Sequence, residues 1–149
     1  TTLVAAEKPT PPEAYILHRG EYDQRRDKVG PDTPRALPAF PSDLPRNRLG
    51  FARWLLRDDH PLTARVTVNR FWQEVFGTGV VRTAGDFGVT GELPSHPELL
   101  DWLAVEFRDG LNWDVRKLFK LIVTSATYRQ SAAATKEKLD KDPQNTWLS

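Results

Sequence analysis

The amino-acid sequence predicts a mainly α-helical fold, a compact bundle of about four helices led by an extended, proline-rich N-terminal arm. Apolar residues recur at helical spacing in four stretches between Asn47 and Tyr128. Residues suited to capping a helix stand at the head of three of these stretches, at Asn47, Ser95 and Asp114. Eight of the twelve prolines lie in the first 45 residues, where each fixes its backbone angle and withholds a hydrogen-bond donor.

The arm covers residues 1–46. Within it, Tyr15 to Tyr22 (YILHRGEY) has the aromatic and branched residues of a short strand, and Pro34 to Pro45 reads as extended chain laid over a neighbouring surface. Residues 47–130 form the helical core of the domain. Asn47 caps a helix over Arg48 to Arg57 that presents Leu49, Ala52 and Leu56 before Pro61 interrupts it.

The second helix runs from about Pro61 to Phe76, with Ala64, Val68, Phe71, Trp72 and Val75 on one side and Gly77 or Gly79 as its left-handed stop. Ser95 and Glu98 have the spacing of a capping box, with Pro97 in the first turn. They open a third helix to about Arg108 with Leu99, Leu100, Leu103, Ala104 and Phe107 on one face, ended by Gly110. Asp114 caps a fourth, in which Val115, Leu118, Phe119, Ile122, Val123 and Ala126 line one side. Residues 131–149 are a polar tail that finishes on Trp147 and Leu148, the pattern of a truncated part of the same domain.

A chain of 149 residues is long enough for one hydrophobic core. The formal charge of +1 gives no long-range attraction to nucleic acid or to an anionic membrane. The absence of cysteine removes disulfides, thiol chemistry, cysteine-based zinc sites and covalent haem attachment from this segment. No apolar run approaches the roughly 20 residues of a membrane span.

Candidate chemistry is sparse. Arg65 and Asn69 interrupt the apolar arc of the second helix, and buried guanidinium and amide groups require partners, such as a loop carbonyl or the carboxylate of Asp86. A satisfied structural network is the simpler reading, with a binding role as its rival. Arg70 sits one turn before Glu74 on the opposite face, where a solvated ion pair is expected. The Gly77–Pro94 loop holds five glycines, which serve either tight turns or a backbone cradle for a ligand. Asp86-Phe87-Gly88 spells a kinase metal-binding triplet, but no other kinase signature accompanies it.

His18, His60 and His96 lack the spacing of metal ligands, so no metal site is expected. His96 follows Ser95 at a helix start, where the dipole disfavours its protonated form. It would serve as a base only with Asp86 or Asp101 in reach, and packing against the helix end is the simpler reading. Arg116, Lys117 and Lys120 form a basic flank that reads as a solvated face, since the helix connections do not suit a nucleic-acid reader.

Three ordered blocks carry a family resemblance: PLTARVTVNRFWQEVFGTGVVRTAGDFG, GELPSHPELLDWLAVEF and WDVRKLFKLIVTSATYRQS. They closely resemble the planctomycete-type domain of unknown function (PSD-type domain) found C-terminal to a planctomycete cytochrome c module. The likeness runs from about Arg19 and Gly20 to Asn145. Arg65, Asn69, Arg70, Asp86, Gly88, His96, Asp101, Tyr128 and Arg129 match motif positions, without established roles. His60 stands where the family pattern reads asparagine.

The resemblance implies the terminal part of an exported protein, periplasmic or at the cell surface, with haem c in another domain and no cofactor in this segment. The function expected is a non-catalytic packing or interaction module whose partners are other domains of the same polypeptide. The alternative is part of an enzyme acting on a polysaccharide or small redox substrate, with Asp86, His96 and Arg65 converging beside the glycine loop. No reaction is assigned.

Overall fold

The computed structural model describes every residue except Ala5, Glu7, Pro11, Ala132, Ala134, Gln144, Asn145, Thr146, Leu148 and Ser149. The expected apolar end of the tail therefore falls partly outside the described residues, at Leu148. The fold is mainly helical, with one two-stranded sheet among the described residues. The chain divides into two units, Thr1–His60 and Pro61–Ser149.

In the first unit, β1 (Ala14–Leu17) and β2 (Arg25–Val29) pair antiparallel, with Ala14 opposite Val29 and Tyr15 opposite Lys28. The single strand expected over Tyr15 to Tyr22 is therefore shorter, and it turns back on itself. Arg19 (φ 51°) and Gly20 (φ 81°) adopt left-handed backbone in a 3₁₀ turn at His18–Gly20 that reverses the chain. The returning strand RRDKV has no apolar alternation to announce it, and all five of its residues are exposed. Backbone pairing, an ion pair from Lys28 to Glu13 and the Arg25 guanidinium over the Tyr15 ring hold it instead.

The helix α1 (Arg48–Leu55) starts as expected, with the Asn47 Oδ1 accepting the Gly50 N–H at 3.0 Å. Its buried face differs from the expected one. Leu49 and Leu56 are exposed, while Gly50 and Trp54 are buried. The reason is the indole, the largest apolar body on the helix, whose Nε1–H donates to the Pro38 carbonyl at 2.9 Å. The proline-rich segment thus supplies the acceptor that lets Trp54 be buried. His60 is buried beside it, its ring edge-on to the indole at 4.6 Å and 88°.

The second unit contains α2 (Thr63–Phe76), α3 (Pro97–Val105), α4 (Val115–Thr124) and α5 (Lys136–Lys141). Gly77 ends α2 with φ 78°, as its position predicts. Ala64, Val68 and Trp72 of α2 meet Leu100, Leu103 and Ala104 of α3 and Leu118 and Ile122 of α4 in one core, joined by Phe107 and by Val80 and Val81 of the connecting loop. Phe71 packs edge-on against Phe119 at 5.2 Å. Asp114 caps α4 through one carboxylate oxygen that accepts from the Arg116 and Lys117 N–H groups. Val115 and Val123 of the expected face remain exposed.

Two helix ends differ from expectation. The capping box at Ser95 does not form: its N–H and its hydroxyl both donate to the Val80 carbonyl, at 2.9 and 3.2 Å, and His96 occupies the cap position without a side-chain bond to the helix N–H groups. Both Ser95 donors are drawn to this buried loop carbonyl, which holds the residue one position ahead of the cap. Beyond α3 the chain widens into a π-helical turn at Glu106–Gly110, so the helical run ends at Gly110 as expected, but without left-handed backbone at that glycine. Asn112 (φ 49°) and Trp113 (φ 60°) make the reversal. Trp113 is held there by the bond from its N–H to the Phe107 carbonyl and by ring packing on Phe107 at 5.3 Å. The short α5 in the polar tail is capped by the Thr135 hydroxyl and braced by a Lys141–Glu137 pair one turn apart.

The cap at Asp114 is expected to contribute about 1 kcal/mol, so Asp114→Ala lowers the unfolding free energy by about that amount in urea titration. Ser95→Ala removes only the hydroxyl bond, the backbone N–H still serving the Val80 carbonyl, and is expected to cost about 0.5 kcal/mol.

Burial lowers the His60 pKa below its ordinary 6.5, against the opposing charge of Asp59. The unfolded chain then binds more protons below that value, so stability contributed by neutral His60 is present above about pH 6.5 and falls as the pH drops. Denaturant midpoints at pH 7.5 and 5.5 measure it, and His60→Asn is expected to shrink the difference between them.

Candidate functional site

The region with the densest polar chemistry is the second half of α2 with the loop from Gly77 to Pro94. Asn69 is 0 % exposed, between turns of α2 that carry Val68 and Trp72 into the core. Its amide Nδ2 donates to the Val81 carbonyl at 3.0 Å, and its Oδ1 accepts the Val81 N–H at 2.8 Å. One side chain thereby satisfies both backbone groups of a buried loop residue that no strand partner serves. Gly79 is required by the same geometry: a Cβ there would lie 2.7 Å from the Asn69 amide nitrogen and 2.6 Å from the Val81 carbonyl oxygen.

Arg65 lies one turn earlier and ties α2 to α3. Its Nε donates to Asp101 Oδ1 at 2.6 Å and its Nη1 to the Pro61 carbonyl at 2.5 Å. A loop carbonyl and a carboxylate are thus the partners of Asn69 and Arg65, but the carboxylate is Asp101 and not Asp86. Arg70 is exposed, and the ion pair expected with Glu74 does not form among the described residues.

Asp86 organises its own loop. Its Oδ1 accepts the Gly88 N–H at 2.7 Å and its Oδ2 accepts the Thr90 hydroxyl, while the Thr83 hydroxyl donates to its backbone carbonyl at 2.9 Å. The Thr90 hydroxyl, followed by the Gly88 N–H, holds its carboxyl below the usual carboxylate range. A carboxylate so held is a poor proton donor near neutral pH and a weaker base than an ordinary aspartate. His96 is half-buried and shares a 3.0 Å hydrogen bond between its Nδ1 and the Ser95 hydroxyl. Among the described residues no hydrogen bond joins any two of Arg65, Asp86 and His96, and no group of three or more His, Asp or Glu side chains is placed to hold a metal ion.

Sequence reasoning did not single out Val81, the partner of Asn69, and it named Asp101 as a motif position and a possible partner of His96 but not as the partner of Arg65. A signal for Val81 was present: Val80 and Val81 are the one adjacent pair of β-branched residues in the glycine-studded loop. For Asp101 the signal was its motif position, but nothing in the linear pattern pairs it with Arg65, thirty-six residues earlier.

Residues 47–149 match the family described as PSD1, protein of unknown function (DUF1553). No curated protein and no solved structure matches the chain.

Replacing Asn69 by leucine strands the Val81 N–H and carbonyl in the core. A loss on the order of 2–5 kcal/mol is expected, read from chemical unfolding followed by tryptophan fluorescence. Asp86→Asn, at the surface, is expected to alter local hydrogen exchange in the loop far more than global stability.

Proposed function

The chain belongs to the PSD1 family of proteins of unknown function, and from that premise we propose that it is a non-catalytic packing and interaction module, a helical bundle within a larger exported polypeptide. The observation that carries the reading is α3. Leu100, Leu103 and Ala104 face the core, yet Trp102 is 53 % and Val105 50 % exposed on the opposite side. A soluble helix ordinarily turns polar residues outward, and a tryptophan presented to solvent is a characteristic centre of a protein interface. The polar side chains around the glycine loop add to the case, because Asn69, Arg65 and Asp86 are committed to holding backbone and helices.

The reading places this domain beside others of the same polypeptide, with haem c carried by a cytochrome module elsewhere in it and no cofactor here. Export and the cytochrome neighbour rest on resemblance of sequence blocks alone. Among the described residues no helix is long and apolar enough to cross a membrane.

Hydroxyl-radical footprinting tests the reading. Trp102 is expected to oxidise readily in the isolated chain and to be protected several-fold in the intact polypeptide. Equal oxidation in both would sink it. Trp102→Ala is expected to change the isolated chain's stability by no more than about 0.5 kcal/mol, as for an exposed side chain away from the core.

A further inference from the structure

The outward face of α3 carries charge as well as apolar surface, and the charge decides what can cover it. Glu98 stands one turn before Trp102, and Val105 and Glu106 stand one turn after it. Asp101 borders this face on the side of α2, where the Arg65 Nε meets it at 2.6 Å. Asp109, in the π-helical turn that follows, accepts two bonds from Arg108, at 2.6 and 2.7 Å. Glu98 and Glu106 enter no ion pair among the described residues. Glu98 lies in the first turn of α3, where the helix dipole favours its carboxylate without neutralising it. From Pro97 to Gly110 there are four carboxylates and one guanidinium, and Arg65 adds a second cation, so the face keeps an excess of negative charge.

Three kinds of surface can be weighed against this pattern. A purely apolar one would bury Glu98 and Glu106 without partners, which costs more than covering Trp102 and Val105 gains. One that bears phosphates, whether nucleic acid or anionic lipid, is repelled by the same two carboxylates. A cationic one gains from every part of the face. A guanidinium lies flat on an indole, the best aromatic partner for a cation, and donates in the plane to carboxylates beside the ring. Its methylene stem covers apolar surface such as that of Val105.

We infer that the occupant of the α3 face is a basic protein surface that lays an arginine side chain across the Trp102 indole and is held on either side by Glu98 and Glu106. This rests on the packing-module reading of α3 and adds to it the chemistry of the partner. The tryptophan supplies contact area, since a whole indole side chain buries on the order of 150–250 Å². The two unpaired carboxylates supply the choice of partner, because like charge opposite them is penalised and opposite charge is drawn in.

Hydroxyl-radical footprinting of Trp102 in the intact polypeptide tests it, run at about 0.05 M and about 0.5 M salt to bracket the screening of exposed charge. The expected result is protection several-fold stronger at low salt than at high salt. At low salt, protection is expected to be largely lost in Glu98→Lys and in Glu106→Lys. Glu98→Gln and Glu106→Gln, which keep the side-chain size, are expected to lose part of it. Glu74→Lys makes the same change in net charge at an exposed position on the side of α2 opposite Arg65, and it is expected to leave protection intact. Circular dichroism of each variant checks that α3 has kept its helix. Protection that ignores both salt and the two lysine variants would overturn the inference while leaving the α3 reading in place. Equal oxidation of Trp102 in the isolated chain and in the intact polypeptide would overturn both. Protection that appears in the isolated chain as its concentration rises would assign the face to a second copy and overturn the inference.

Discussion

The second unit turns on one buried amide. Asn69 sits in an apolar core where an unpaired polar group would be costly, and it is tolerated because Val81 needs the two bonds that Asn69 supplies. The arrangement draws an irregular loop into the interior, so that Val80 and Val81 contribute to the core between α2 and α3. The Val80 carbonyl then captures Ser95, which fixes where α3 begins. A polar residue in the helix, a glycine that yields space and a serine ahead of the next helix act as one device.

The remaining polar residues of this region extend that device. Arg65 reaches Asp101 across two helices, and Asp86 closes its own loop with Gly88 and Thr90. Exposed ion pairs such as Arg65–Asp101 contribute modestly to stability, so their value here is in orienting helices and loop. What this scaffold leaves over is apolar surface in defined places, on α3 and at the loop tip. Side chains committed to positioning and apolar groups committed to solvent are the properties expected of a part that meets other surfaces.

Helices were legible wherever apolar periodicity and a terminal signal coincided. The stretch ending at Gly77 and the helix opened by Asp114 follow their local chemistry, as does the Asn47 cap. Legibility failed where a distant group decided the outcome. Ser95 has the local pattern of a capping box, but its actual partner is fifteen residues earlier. Leu49 and Leu56 have helical spacing, but Trp54 controls the roll of α1 because Pro38 offers its indole an acceptor. Strand β2 was invisible because charge pairing, and not burial, secures it.

For the candidate site, the sequence by itself determined that Arg65 and Asn69 would require partners, since cationic and amide groups on an apolar arc cannot be left unsatisfied. It determined the helical class and three of the helix ends, because period and capping are local properties of the chain. Tertiary structure alone decided that the partners are Val81 and Asp101, that Asp86 is spent on its own loop, and that Trp102 faces outward. Those outcomes depend on which groups meet across gaps of many residues, and a linear pattern does not encode that meeting.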